Sequence, residues 1–575
     1  LNTCKKQGLL VDHGSSFYRI EHESMRAAIY ENIPVQRRRA LHVATARGLE
    51  HSHRGELHTV AVALTHHLAR AGDWRRTVIY LVSAADEAIE WGAWSEAAEL
   101  LQRADEVRRD VQIAGWTERR SIELQRKLGE TRLRTGDSSG ATAALEQCAG
   151  LLTLELPEED DDSPLERTTR VLRRSGHRLL SGLFSKPVTS PTPLHLEKAR
   201  VLAALAVAYH GTSPYRRAWC LARLAAHGEQ SGDNNAIVTA ETSIGVEESF
   251  AQNPQNAGAH HGRARTGATR SESELLLARA DLGAAWHDYT TGDWPASMAY
   301  CERGSERAWR MGELALWCRI QVLLGGLMFL RGQLRESLDA FRLATRTAEA
   351  SGEVAIANAG ARGKGMALLC MGDARGGVAY LQRAYERTHR AIRRDKSAGL
   401  RADLGYAQFT TGDVKIGLDN LQAAYDEVDS HHRGTPLRDP ILVRMIEVQL
   451  AHAQNVEGKL KDQCIARAGA LLDALSPMNC FIGVRVAAQR LEGDWHWARQ
   501  RQDEATASWK ASMRTAHRLG ARYEQARTQI SAGLALSNHT SVTAAATTLE
   551  QIGALTLLGQ LRRSGAIGGR ASDEA

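Results

Sequence analysis

The sequence predicts an all-α chain folded as an α-α superhelix, a solenoid of stacked helical hairpins. Three observations point there. A chain of 575 residues exceeds what one hydrophobic core supports. Alanine, leucine, arginine and glutamate dominate, aromatics are only 5%, and 12 prolines are scattered among strong helix formers. A turn signal recurs at even spacing: Gly292-Asp293-Trp294, Gly332-Gln333-Leu334, Gly372-Asp373-Ala374 and Gly412-Asp413-Val414.

The register extends to both sides of the turn. Seven residues before each glycine stands a small residue (Ala285, Gly325, Gly365, Gly405), and three before it a large apolar one (Tyr289, Phe329, Leu369, Phe409). The fifth position after it is small (Ser297, Ser337, Gly377, Gly417), the ninth apolar (Cys301, Phe341, Leu381, Leu421) and the twelfth small (Gly304, Ala344, Ala384, Ala424). Small residues let two antiparallel helices approach, and the bulky residue fills the gap between one hairpin and its neighbour. The glycine supplies the left-handed conformation that ends one helix, and the aspartate after it caps the next. These columns define four regular tetratricopeptide-like repeats over 273–431.

Fainter copies flank them. Gly72-Asp73-Trp74, Gly92-Ala93-Trp94 and Gly136-Asp137 place helical hairpins over 56–153, and further helical repeats are expected over 195–252. Gly458 and Gly493-Asp494-Trp495 mark degenerate repeats over 432–563. Breaks fall between them. Residues 154–194, with an acidic run at Glu158–Asp162 and three prolines in 186–193, read as linker and loops. The glycine-, asparagine-, histidine- and arginine-rich stretch 253–272 reads as a flexible loop, and 564–575 as a disordered tail.

Function classes drop out in turn. A formal charge of +6, from 73 basic and 67 acidic residues, leaves no extended basic footprint, so nucleic-acid contact is not expected. The longest apolar run, Ile320–Leu330, is about half of the roughly twenty residues that span a bilayer, so a soluble, cytoplasmic chain is expected. Eight single cysteines lack metal-ligand spacing and read as small buried hydrophobes. The glycine-rich Gly360-Ala361-Arg362-Gly363-Lys364-Gly365 lacks the hydroxyl residue a phosphate loop needs, and Gly365 belongs to the small column. Adjacent histidines, His66-His67, His260-His261 and His431-His432, point about 100° apart on a helix and are not chelating units. No catalytic, metal or cofactor-binding residue is therefore assigned, and no cofactor is expected.

The first hundred residues carry the most specific local pattern: Phe17-Tyr18-Arg19-Ile20-Glu21-His22, Arg26, Ala28, Tyr30, Arg37–Arg39, Leu41-His42, Ala46 and Leu49-Glu50, then Leu64-Thr65-His66-His67-Leu68-Ala69-Arg70-Ala71-Gly72. This resembles the segment that closes the ATPase module and opens the tetratricopeptide array of bacterial STAND-type signalling ATPases, often fused to class III adenylate or guanylate cyclase domains. The resemblance implies that residues 1–55 are the C-terminal part of a winged-helix-like unit and that the rest is the sensor array. It implies an ATPase module upstream in the same polypeptide, and Leu1 opening on patterned sequence suggests a piece of a longer chain. A protein partner or small ligand would bind in the superhelix groove, on the first helix of each pair, and no membrane partner is expected. The competing expectation is a free-standing tetratricopeptide adaptor.

Overall fold

The computed structural model describes residues 10–12, 18–20, 22–111, 113, 115–158, 192–210, 212–391, 398–429 and 438–567. The chain forms two compact units, Leu1–Thr131 and Arg132–Ala575. In the first, a hairpin of β1 (Leu10–Asp12) and β2 (Tyr18–Ile20), with Leu10 opposite Ile20, precedes α1 (Glu23–Asn32), α2 (Val35–Ser52), α3 (Ala61–Ala71), α4 (Trp74–Glu90), α5 (Trp94–Asp110) and most of α6 (Glu118–Thr135). Gly72 ends α3 at φ 82°, and the Asp73 carboxylate accepts the Arg76 N–H at 3.2 Å to start α4. Ala46, Leu64 and Leu68 are wholly buried between α2 and α3, while Tyr80 and Arg76 reach back from α4 to Glu50.

The second unit continues through α7 (Ser138–Leu151), α8 (Pro193–Ala208), α9 (Pro214–Ser231), α10 (Asn234–Phe250), α11 (Pro254–Arg270), α12 (Glu274–Thr291), α13 (Trp294–Arg310), α14 (Leu314–Leu330), α15 (Leu334–Ala350), α16 (Val354–Cys370), α17 (Ala374–Ala391), α18 (Ala398–Thr411) and α19 (Val414–Asp429). It closes with α20 (Arg438–Ala453), α21 (Gly458–Leu475), α22 (Ile482–Ala498), α23 (Gln502–Leu519), α24 (Arg522–Ala535), α25 (His539–Ile552) and α26 (Leu555–Arg563). Its frame is finer than the sequence repeat. Left-handed residues stand at Gly232, Gln252, Glu272, Gly292, Gly312, Gly332, Gly352 and Gly372, one at every half-repeat, and again at Gly412. Helices of 17 residues alternate with three-residue turns, and at Gly312 the next N–H, of Glu313, returns to the Ala308 carbonyl at 2.9 Å.

This frame corrects the loop expected over 253–272. That stretch is the continuous helix α11, started by Pro254 in its first turn and packed through Ala257, His261, Ala264, Gly267 and Ala268. Its small residues face neighbouring helices, and its turns were hidden because Gln252 (φ 60°) and Glu272 (φ 50°) hold the left-handed position that glycine holds elsewhere. The turn expected at Gly493 is corrected too. Gly493 lies inside α22, and the left-handed residue is Gln500, seven positions later. A Cβ on Gly493 would stand 2.5 Å from the Trp509 ring, so this glycine belongs to the small column. The expectations for 159–191, His431-His432 and 568–575 lie outside the described residues.

The small columns meet each other. Ser297 Oγ donates to the Ala285 carbonyl at 2.7 Å, and Ser337 Oγ to that of Gly325 at 2.8 Å. In the next two repeats glycine replaces the serine, and a Cβ there would lie 2.9 Å from the Gly365 oxygen (at Gly377) or 2.6 Å from the Gly405 oxygen (at Gly417). One close helix approach is thus solved by a hydrogen bond twice and by bare backbone twice.

From α8 to α24 each even-numbered helix packs on the next even-numbered one, so these helices form the inner wall of the second unit. Further along the chain the wall meets itself: α12 packs on α22, α14 on α24 and α16 on α26. The bulky column makes this junction. Tyr289 packs on Phe481 with ring centroids 5.1 Å apart, Phe329 on Tyr523 at 6.2 Å, and the Thr556 hydroxyl donates to the Leu369 carbonyl. Gly292, Gly332 and Gly372 lie against Leu519, Ile552 and Leu555, whereas Gly412 has no such neighbour among the described residues. These residues therefore join successive superhelical turns rather than adjacent hairpins alone.

Candidate functional site: the inner helical face

Inner-facing positions recur in register with the turn glycines. In α12 they are Arg279, Leu282 and Trp286, in α14 Arg319, Val322 and Gly326, and in α16 Ala359, Arg362 and Met366. The two halves of the wall use them differently.

Across α16 to α24 the protein's own side chains fill the inner space. Asp403, 2% exposed, is held between Arg362 at 2.8 Å and Arg444 at 2.7 Å. Glu447 accepts from the Tyr406 hydroxyl at 2.7 Å, from Arg490 at 3.2 Å and from Arg527. Arg490, 4% exposed, also meets Asp494 at 3.3 Å and Glu524 at 3.2 Å, and Trp509 Nε1 donates to Asp494 at 2.9 Å. Burial alone would raise the Glu447 carboxyl, but the Arg527 and Arg490 guanidiniums outweigh it and bring it down to about 2. Asp494 goes the other way, raised by burial against the pull of Arg490. Four arginines thus stand against four carboxylates, a set neutral within itself.

Across α10 to α14 the inner positions carry Arg279 and Arg319 with no paired carboxylate among the described residues. Arg279 donates to Asn235 Oδ1 at 2.8 Å and approaches Thr239, but among the described residues no carboxylate lies within ion-pair distance of it. Arg319 is exposed and makes no hydrogen bond or ion pair among the described residues. Surrounding protein, and after it the like charges of Arg134 and Arg279, lowers the basicity of Arg319. Arg134 itself pairs with Glu353. A Cβ added to Gly326 would meet nothing within 4 Å, so open space adjoins the wall. At the equivalent positions of α16 and α18, Met366 and Tyr406 contact Arg444 and Glu447.

The remaining clusters read as structural. A cavity of about 720 Å³ lies where α10–α12 meet α20–α22. Its charged groups are tied to backbone: Asp439 accepts the Phe481 N–H at 3.0 Å, Arg438 donates to Ala474 O at 3.2 Å and Arg485 to Cys480 O at 2.8 Å. In the first unit His42 sits opposite His67 (Nδ1 to Nδ1, 2.9 Å) and meets the Tyr30 hydroxyl at its other nitrogen, 3.0 Å away, so both ring nitrogens are occupied. The His260-His261 pair divides: His260 meets the buried Glu241 at 2.7 Å, and His261 packs on His287. Among the described residues no group of histidine, cysteine and carboxylate is placed to hold a metal, and no helix is long and apolar enough to cross a membrane. Seven cysteines are free and buried; Cys4 lies outside the described residues. Gly360–Gly365 lies within α16, where a Cβ on Gly363 or Gly365 would strike Phe341 or Leu381.

The repeat residues singled out in the sequence, Ala285, Tyr289, Gly292, Gly325, Phe329, Gly332, Gly365, Leu369, Gly372, Gly405, Phe409 and Gly412, all serve packing or turns, and none faces the open inner space. Arg279 and Arg319 escaped sequence reasoning. Their signal was present, since both stand at the same position before a turn glycine, one repeat apart.

No family model and no curated protein sequence matches the chain. Solved structures of low identity align with it. A Rap protein complexed with competence and sporulation factor is 12% identical, with 69% of this chain and 98% of that one covered and a TM-score of 0.43. Aspartyl phosphate phosphatase F from Bacillus subtilis is 10% identical over 70% of this chain and 96% of that one, at a TM-score of 0.38. The Cut9-Hcn1 hetero-tetramer of the APC/C is 12% identical over 84% and 96%, at 0.27.

Proposed function

We propose that this chain is a non-catalytic sensor and scaffold region: a protein or small ligand seats on the inner face of α10–α14, and its binding biases an ATPase module in the same polypeptide. The observation that carries the binding half is the contrast between the two halves of the inner wall. Across α16–α24 the inner positions are spent on a neutral, self-satisfied ion network. Across α10–α14 they leave free space at Gly326 and, at Arg319, a guanidinium without a partner among the described residues. Inner positions already filled by paired side chains leave no room for a partner, whereas an exposed guanidinium beside open space keeps its hydrogen bonds available for one. The regulatory half rests on the resemblance of the first hundred residues to the junction between ATPase module and array. A ligand acts through it only by binding two arrangements of the array unequally.

The test is nucleotide hydrolysis by the full product of the gene, with and without residues 56–575. A changed rate supports the regulatory reading. An unchanged rate, or a product without an ATPase module, overturns it in favour of a free-standing adaptor.

A further inference from the structure

Resting on the reading that α10–α14 hold a partner, we infer that the partner is an acidic peptide segment of a protein, whose carboxylates pair with Arg279 and Arg319 along the inner wall. Three observations converge. The two arginines occupy the same repeat position on successive inner helices, so they form a column parallel to the stacking direction rather than an accidental cluster. Among the described residues neither has a carboxylate within ion-pair distance, although every arginine of the neighbouring ion network has at least one. Arg279 spends its bonds on the neutral Asn235 and Thr239, which fix the side chain without neutralising it.

Among the described residues no carboxylate stands within ion-pair distance of either arginine. Glu353 is occupied by Arg134, and Glu313 acts on Arg279 only from beyond contact. Planar guanidiniums pair with carboxylates through two parallel hydrogen bonds, which gives such a pair direction as well as charge. The half-buried Leu282 and Val322 stand one helical turn beyond the arginines, so apolar side chains of the segment have matching ground beside its acids. A repeated column with apolar neighbours fits an extended chain bearing several acids better than one small anion, which would leave the apolar ground at Leu282 and Val322 uncovered.

The experiment is selection of binders from a displayed random-peptide library on the whole chain, followed by affinity measurement of the enriched peptides against variants. Enriched sequences carry aspartate or glutamate in excess. Arg319→Gln and Arg279→Gln each weaken them about tenfold, and Arg335→Glu on the outer helix α15 leaves them unchanged. Affinity falls as salt is raised. Arg319 touches no described partner, so Arg319→Gln keeps the helical circular dichroism of the parent, which separates lost binding from lost folding. Enriched peptides without acidic bias, or acidic peptides that bind Arg319→Gln as tightly as the parent, overturn the acidic-partner inference and leave the binding reading standing. Competition by free glutamate or phosphate at equal affinity would replace the peptide by a small anion. A library that yields no binder overturns the acidic-peptide inference and leaves the binding reading to its own test.

Discussion

Replacing Glu447 by glutamine isolates the ion network that closes half of the inner wall. Glu447 is 17% exposed and accepts from Tyr406, Arg490 and Arg527. Its carboxyl is held down to about 2, against an ordinary 4.5. A lowered carboxylate pKa means that the unfolded chain takes up the proton first, so the stabilisation is complete above pH 4.5 and is lost as pH falls toward 2. At 1.36 kcal/mol per unit the interaction is worth about 3 kcal/mol at pH 7, and about 1.4 kcal/mol remains at pH 3. Breaking a buried pair by removing one partner independently suggests about 3–5 kcal/mol. Glutamine keeps the shape and still accepts the Tyr406 hydroxyl, so the lost charge is the main change. Urea unfolding followed by tryptophan fluorescence, with Trp509 hydrogen-bonded to Asp494 as a local reporter, measures the gap at both pH values. The expected gap is about 3 kcal/mol at pH 7, and it at least halves at pH 3. A gap under about 1 kcal/mol, or one independent of pH, would refute the assignment of a buried, ionised Glu447.

Other perturbations follow from the same packing. Gly292→Ala places a Cβ 2.9 Å from Leu519 in a left-handed turn and should cost about 2–3 kcal/mol, whereas Gly412→Ala, in a left-handed turn facing open space, should cost about 1; urea midpoints compare them. Ser337→Ala removes one buried hydrogen bond and should cost about 1 kcal/mol, while Gly417→Ser, with its Cβ 2.6 Å from the Gly405 oxygen, should cost about 1–3 although serine is native two repeats earlier; equal tolerance of serine in both repeats would contradict the columns. His261, 9% exposed, is pushed down to about 4 by burial first and then by His287 and His260. The folded form resists the proton that the unfolded chain accepts near 6.5, so stability is full above pH 6.5 and falls by about 3 kcal/mol toward pH 4. His261→Gln should flatten that slope in thermal melts between pH 7 and 4.

Much of this architecture was legible because its turns use glycine for a reason only glycine meets. At Gly292, Gly332, Gly372 and Gly412 a positive φ recurs with small residues in register, and the helical hairpin follows from local sequence. Helix α11 escaped because Gln252 and Glu272 take the same conformation without glycine, so the marker vanished while the half-repeat frame continued. Extending that frame between Gly232 and Gly292 would have found the helix. Gly493 misled for the opposite reason: the same residue type served a close helix contact instead of a turn. The ion network was illegible from spacing. Arg527 and Glu447 are far apart in sequence, and the pairing depends on how inner helices meet around the superhelix, which no local pattern records. The arginine column lay between these cases, visible as a repeat position but meaningful only once its lack of carboxylates was known.

The most direct test of the divided inner wall is amide hydrogen exchange across the whole chain, with and without a saturating peptide from the library selection. Slowed exchange is expected in α10, α12 and α14, with α16 to α24 unchanged because their inner face is already filled. Protection concentrated on α16 to α24, or on the outer helices α11, α13 and α15, would contradict a partner seated on the open half.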